Sequence, residues 1–156
     1  VRPAPRYDAA MPVMVVAADT AAGAAVIARV LRPGREVRAF VSDPDAAAGL
    51  RARGVKVALG DVSDSSHVAA ACLHCHSAVF VVAGAADGRE RSFADGVPAV
   101  LAGWAGAARE AAVRRVIWVG TDEAPASVAE SAVVPDDPDL GALAERVAAL
   151  DEAPSL

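Results

Sequence analysis

Apolar and polar positions along this chain alternate between short unbroken apolar runs and longer stretches with helical spacing. Residues 12–17 (PVMVVA) form a continuous apolar run, as a strand buried on both faces does. Over residues 20–31, Val26, Ile27, Val30 and Leu31 recur at helical spacing, and Arg32-Pro33-Gly34 ends that helix. Val37–Val41 predicts a second strand. Asp43-Pro44 opens a short helix running to about Arg53, with Pro44 at a first helical position, and Gly54 stops it. Val55, Val57 and Leu59 alternate as a third strand. A third helix follows over residues 63–73, capped by Ser63 or Asp64. Residues 78–82 (AVFVV) predict a fourth strand. A loop rich in glycine and charge, residues 84–92, leads to a long helix with Val97, Val100, Leu101, Trp104, Ala108 and Ala111 on one stripe. Residues 116–119 predict a fifth strand. Residues 121–139 hold three prolines and a run of acids and read as a loop, after which Leu140, Leu143, Val147 and Leu150 mark a last helix.

Strand and helix alternate five times with short connections. That pattern predicts an α/β fold: a doubly wound, five-stranded parallel sheet in the Rossmann arrangement, order 3-2-1-4-5, as the middle of three α/β/α layers. A ligand is expected at the carboxyl ends of strands one and four, where the strand order reverses. There is no repeat and no second domain. Residues 1–10 read as an N-terminal extension and residues 11–156 as a single domain.

Composition narrows the function. The chain has 156 residues, 54% hydrophobic and 22% charged, which excludes a disordered chain. Aromatics are 4%, while alanine supplies 40 residues and valine 24, so the core is built from small and β-branched side chains. The net charge is −5, from 15 basic and 20 acidic residues, and this argues against a nucleic-acid-binding face. Of the 15 basic residues only Lys56 is lysine, a bias that points to a GC-rich bacterial source. The most apolar stretches, 11–31 and 96–108, are interrupted by Asp19 or fall short of the ~20 residues a spanning helix needs. Arg2 and Arg6 precede an apolar run that reads better as a first strand than as a signal peptide, so a cytoplasmic location is expected.

Cys72-Leu73-His74-Cys75-His76 matches the C-x-x-C-H haem-attachment signature. Its two thiols and two imidazoles, with His67 as an extra, are also of zinc-ligand type. Haem attachment requires export, a closed metal site on so short a stretch would strain the backbone, and no second ligand cluster is visible. The expectation is that Cys72 packs in the core, the histidines face water, and no metal is bound.

The segments VMVVAADTAAGAAVIARVL, VRAFVSDPDAAAGLRARGVKVALGDVSD, HSAVFVVAG and AAVRRVIWVGTDEA resemble the NmrA-like, atypical short-chain dehydrogenase/reductase superfamily over residues 12–150. GVKVALGDVSD and VRRVIWVG carry most of that likeness. The resemblance implies a domain that binds NAD or NADP; some members reduce quinones or other small molecules, and others sense redox state without turnover. The family's G-x-x-G-x-x-G phosphate loop falls on Ala17, Thr20 and Gly23. Gly23 keeps the helix–strand packing role. Ala17 fits if its φ is negative, and Thr20 places a branched side chain where the pyrophosphate would lie. Asp19 sets a carboxylate beside that doubly negative group, and either Asp19 or Thr20 is placed to cap the helix and fill the anion site from within.

The family's arginine for the 2′-phosphate falls on Ser42, which leans toward NAD over NADP. Asp43 is either a ribose-binding acid or a helix cap. Gly60-Asp61-Val62 matches the segment flanking the adenine, or else is a strand-end turn with a buried carboxylate. Ala83-Gly84 falls where the family's backbone approaches the ribose and nicotinamide, and Gly120-Thr121 near the substrate. The cofactor contacts implied are Ala17, Thr20, Ala21, Ala22, Gly23, Ser42, Asp61, Val62, Ala83 and Gly84.

Ordinary short-chain dehydrogenases use a Tyr-x-x-x-Lys pair to shuttle a proton. The chain has one tyrosine, Tyr7, and one lysine, Lys56, neither placed for it, so catalytic residues are not identifiable. Hydride transfer by positioning alone stays open. In the family, the helix that residues 140–150 resemble is followed by a sixth strand and a C-terminal substrate region, and both are read as missing here. Three functions follow as expectations: an NAD(P)-dependent oxidoreductase with a weakened cofactor site, a dinucleotide-responsive sensor, and a non-catalytic scaffold. A fifth strand left as an exposed edge, beside the stripe of Val97, Val100, Leu101 and Trp104, predicts a homodimer.

Overall fold

β1 (Val13–Val16) is buried along its whole length at the centre of the sheet. Around it the computed structural model, which describes residues 11–125 and 130–156, sets β2 (Val37–Val41), β3 (Lys56–Leu59), β4 (Ser77–Val81), β5 (Arg115–Val119) and β6 (Glu130–Val134). The order is β3-β2-β1-β4-β5-β6 and every neighbouring pair is parallel. The helices are α1 (Ala21–Val30), α2 (Pro44–Ala52), α3 (Ser65–Ala71), α4 (Ala83–Ala86), α5 (Gly96–Glu110) and α6 (Leu140–Glu152). α1 and α6 pack on one face over Val13, Val15, Val79 and Ile117. α3 and α5 pack on the other over Met14, Val16, Phe80 and Trp118.

The strand count is six, not five. β6 lies inside the stretch read as a loop and pairs with β5 from Glu130 opposite Arg115 to Val134 opposite Val119. Its sequence, ESAVV, begins polar and is followed by Pro135. Only Val134 is fully buried, because an edge strand needs little apolar pattern. The sixth strand of this sheet precedes the last helix. The expected loop falls partly on residues 126–129, and the N-terminal extension on residues 1–10; both lie outside the described residues.

This pairing removes the exposed β5 edge from which a dimer was expected. Trp104 has no exposed surface either: it stacks on Phe80 at 5.5 Å and donates Nε1–H to the Val62 carbonyl at 2.7 Å. α6 is tied to the sheet by buried charge. Arg35 pairs with Asp151 at 2.6 Å, with side chains 1% and 0% exposed. The fully buried Arg115 donates to the carbonyls of Leu150, Asp151 and Ala153. Cys72 and Cys75 are free and buried, and burial pushes their thiols up to about 12 and about 11. His74 is exposed as expected, but His76 is buried beneath Pro12, whose carbonyl accepts its N–H. Among the described residues, no three His, Cys, Asp or Glu side chains gather as a metal site, and no helix is long and apolar enough to cross a membrane.

Candidate functional site

β1 and β4 are parallel neighbours, yet their connections run toward opposite edges of the sheet, and a cleft opens beyond their carboxyl ends. The turn from β1 into α1 forms its floor. Ala17 adopts a left-handed φ of +65°, against the expected negative value. The turn requires it, at a strain of about 1 kcal/mol for a residue with a Cβ. Thr20 caps α1: its Oγ1 accepts from the Gly23 N–H at 3.0 Å and donates to the Ala17 carbonyl at 2.7 Å. A Cβ on Gly23 would lie 2.3 Å from the Ala17 oxygen, so Gly23 keeps its packing role. A Cβ on Gly84 would lie 2.2 Å from that of Ala17, which is why α4 approaches the loop here only through glycine.

Asp19 neither caps α1 nor points freely at the anion site. Its Oδ2 accepts from the backbone N–H groups of Ser42 (2.9 Å) and Asp43 (3.2 Å), and its Oδ1 from Arg89 Nη1 (2.8 Å). Arg89 is held from behind by Asp87 at 2.8 Å. Burial works to raise the Asp87 carboxyl, but the Arg89 guanidinium outweighs it and holds the acid below the usual carboxylate range. Asp43 caps α2 through the Asp45 N–H at 2.9 Å while also lining the cleft.

Beyond the carboxyl end of β3, Asp61 accepts from the Ser63 N–H (2.8 Å), the Ser63 hydroxyl (2.6 Å) and the Ser92 N–H (2.7 Å). Burial works to raise its carboxyl; these bonds outweigh it and keep the acid ionised. It is thus both a turn-fixing carboxylate and a wall of the cleft.

The cleft has a volume of about 480 Å3 and brings together Ser42 and Asp61 with Gly60. Ala17, Thr20, Gly23 and Gly84 form the adjoining turn. Ala21 and Ala22 open α1, where backbone N–H groups have no intrahelical acceptor. Ala83 is exposed at the start of α4. Val62 is placed differently: its side chain is in the core and its carbonyl is taken by Trp104. Asp87, Arg89 and Glu90 also line the cleft and were missed. Their one signal is the charged run DGRER in an otherwise apolar connection at the point where the sheet order reverses.

Ser42 lines the cleft, while its Oγ is buried and has no hydrogen-bond partner. The phosphate turn is partly filled from within, because Thr20 takes the Gly23 N–H.

The profile of the NAD(P)H-binding family matches residues 18–153. The chain belongs to that family. NAD or NADP is the family's cofactor. No curated protein sequence matches the chain. Among solved structures, the fold is shared with triphenylmethane reductase of Citrobacter sp. complexed with NADP(H) (22% identity, TM-score 0.58, covering 70% of this chain and 37% of that one). It is shared with ChuY, an anaerobillin reductase from Escherichia coli O157:H7 (26%, 0.55, 71% and 51%). NmrA, a negative transcriptional regulator in complex with NADP, is also similar (21%, 0.58, 72% and 34%). This family member spans about half the length of these proteins or less.

Proposed function

We propose that this chain binds a nicotinamide dinucleotide weakly, with the adenosine half in the cleft between Ser42 and Asp61 and the nicotinamide running past Ala83 and Gly84. The single observation that carries this reading is the 480 Å3 cleft at the reversal point, walled by an Asp61 that its hydrogen bonds keep ionised. The bound cofactor supplies a hydride for a small acceptor. The chain's own part is to bind and orient, since no Tyr-x-x-x-Lys pair exists to move a proton. Thr20 occupying the Gly23 N–H favours a second reading, a dinucleotide-responsive sensor without turnover.

Calorimetric titration with NADH and NADPH tests the proposal. A dissociation constant on the order of 100 micromolar, about 5.5 kcal/mol of binding, is expected. Oxidation of bound NADH by a panel of quinones assigns the oxidoreductase, and binding without oxidation assigns the sensor. No binding of either cofactor at ~1 mM, weaker than about 4 kcal/mol, overturns both and leaves a ligand-free scaffold.

A further inference from the structure

We infer that Asp19 makes this cleft selective for NAD(H) over NADP(H); the inference rests on the dinucleotide reading above. NADP differs from NAD by a phosphate on the adenosine ribose, a group of nearly two negative charges that needs N–H donors or a guanidinium. The donors at that place are the backbone N–H groups following β2, and here the Ser42 and Asp43 N–H groups already donate to Asp19 Oδ2 at 2.9 and 3.2 Å. The Asp19 side chain is 6% exposed, so it is packed in place rather than free to swing away. Arg89, the one guanidinium among the described residues that line the cleft, is engaged by Asp19 and Asp87. Asp19, Asp43, Asp61, Asp87 and Glu90 stand against it, leaving an excess of negative charge where the extra phosphate would sit.

An unphosphorylated ribose has no such conflict. Its hydroxyls are neutral, so the carboxylates lining the cleft can accept from them rather than repel them. Asp19 acts as a positioning and excluding residue: it takes the Ser42 and Asp43 N–H donors that a phosphate would need.

The test compares the dissociation constants of NADH and NADPH for the whole chain and two variants, at two salt concentrations. Wild type is expected to bind NADH at least ~10-fold more tightly, a ratio that shrinks as salt rises. Asp19→Asn keeps an oxygen for the Ser42 and Asp43 N–H groups but removes the charge and releases Arg89, so the ratio is expected to fall ~10-fold. Arg89→Ala removes the compensating cation, so the ratio is expected to rise. A purely structural role for either residue would move both affinities together and leave the ratio unchanged, which overturns the inference. Equal binding of both cofactors by wild type overturns the selectivity and spares the dinucleotide reading; binding of neither overturns both.

Discussion

Thr20 holds the turn between β1 and α1 closed, and replacing it with glycine separates the two consequences of that closure. The Thr20 hydroxyl makes two hydrogen bonds, from the Gly23 N–H at 3.0 Å and to the Ala17 carbonyl at 2.7 Å. Losing the cap to glycine costs a few tenths of a kcal/mol. Losing the bond to the Ala17 carbonyl costs about 0.5–1.5 kcal/mol, although that oxygen keeps the Thr20 N–H at 3.2 Å. Thr20→Gly is therefore expected to lower stability by about 1–2 kcal/mol. In exchange the Gly23 N–H is released into the anion site. One hydrogen bond from it to a phosphate contributes about 1.5–3 kcal/mol, so NADH is expected to bind roughly 10- to 100-fold more tightly. Urea unfolding followed by circular dichroism reads the first effect and calorimetric titration the second. A stability loss of the expected size with an unchanged dissociation constant would show that the capped N–H is not what limits binding. Unchanged stability would refute the cap itself.

Removing one partner of the buried Arg35–Asp151 pair by Asp151→Ala is expected to cost about 3–5 kcal/mol; a urea midpoint equal to wild type would refute the pair's role in anchoring α6. Burial and the Arg115 guanidinium hold His76 below the ordinary imidazole range. The unfolded chain therefore takes up the proton first, and stability is present above pH 6.5 and declines as pH falls below it. His76→Gln should flatten that decline between about pH 6.5 and 5, and an identical slope in wild type and variant would refute the assignment. With thiols pushed up to about 12 and about 11, Cys72 and Cys75 should react with an aromatic disulfide at pH 8 at least ~100-fold more slowly in the native protein than in urea. Rapid native labelling of either would show that the thiols are not sealed in.

The central strands were legible because burial on both faces demands an unbroken apolar run, and PVMVVA and AVFVV supply it. Helix starts were legible where a short polar side chain meets the first turn, although the structure decides the cap: Asp43 for α2, and Asp64 rather than Ser63 for α3. Strand alternation with short crossovers then dictates a parallel sheet reversing between β1 and β4, and so the place of the cleft. β6 was not legible, since an edge strand buries one face at most and its pairing with β5 does not depend on its side chains. Trp104 likewise lies on a stripe that predicts burial but not against what; packing sets it on Phe80 rather than on a second subunit. The chemistry of the cleft divides along the same line. Gly23, Ser42 and Asp61 hold positions fixed by their distance from a strand end, and local sequence carries that distance. The Asp19–Arg89 pair joins residues 70 positions apart, and Asp19 reaches the N–H groups of Ser42 and Asp43 across the sheet's end. Only the folded chain brings those partners together, so only tertiary structure decides which charges the cleft presents to a ligand.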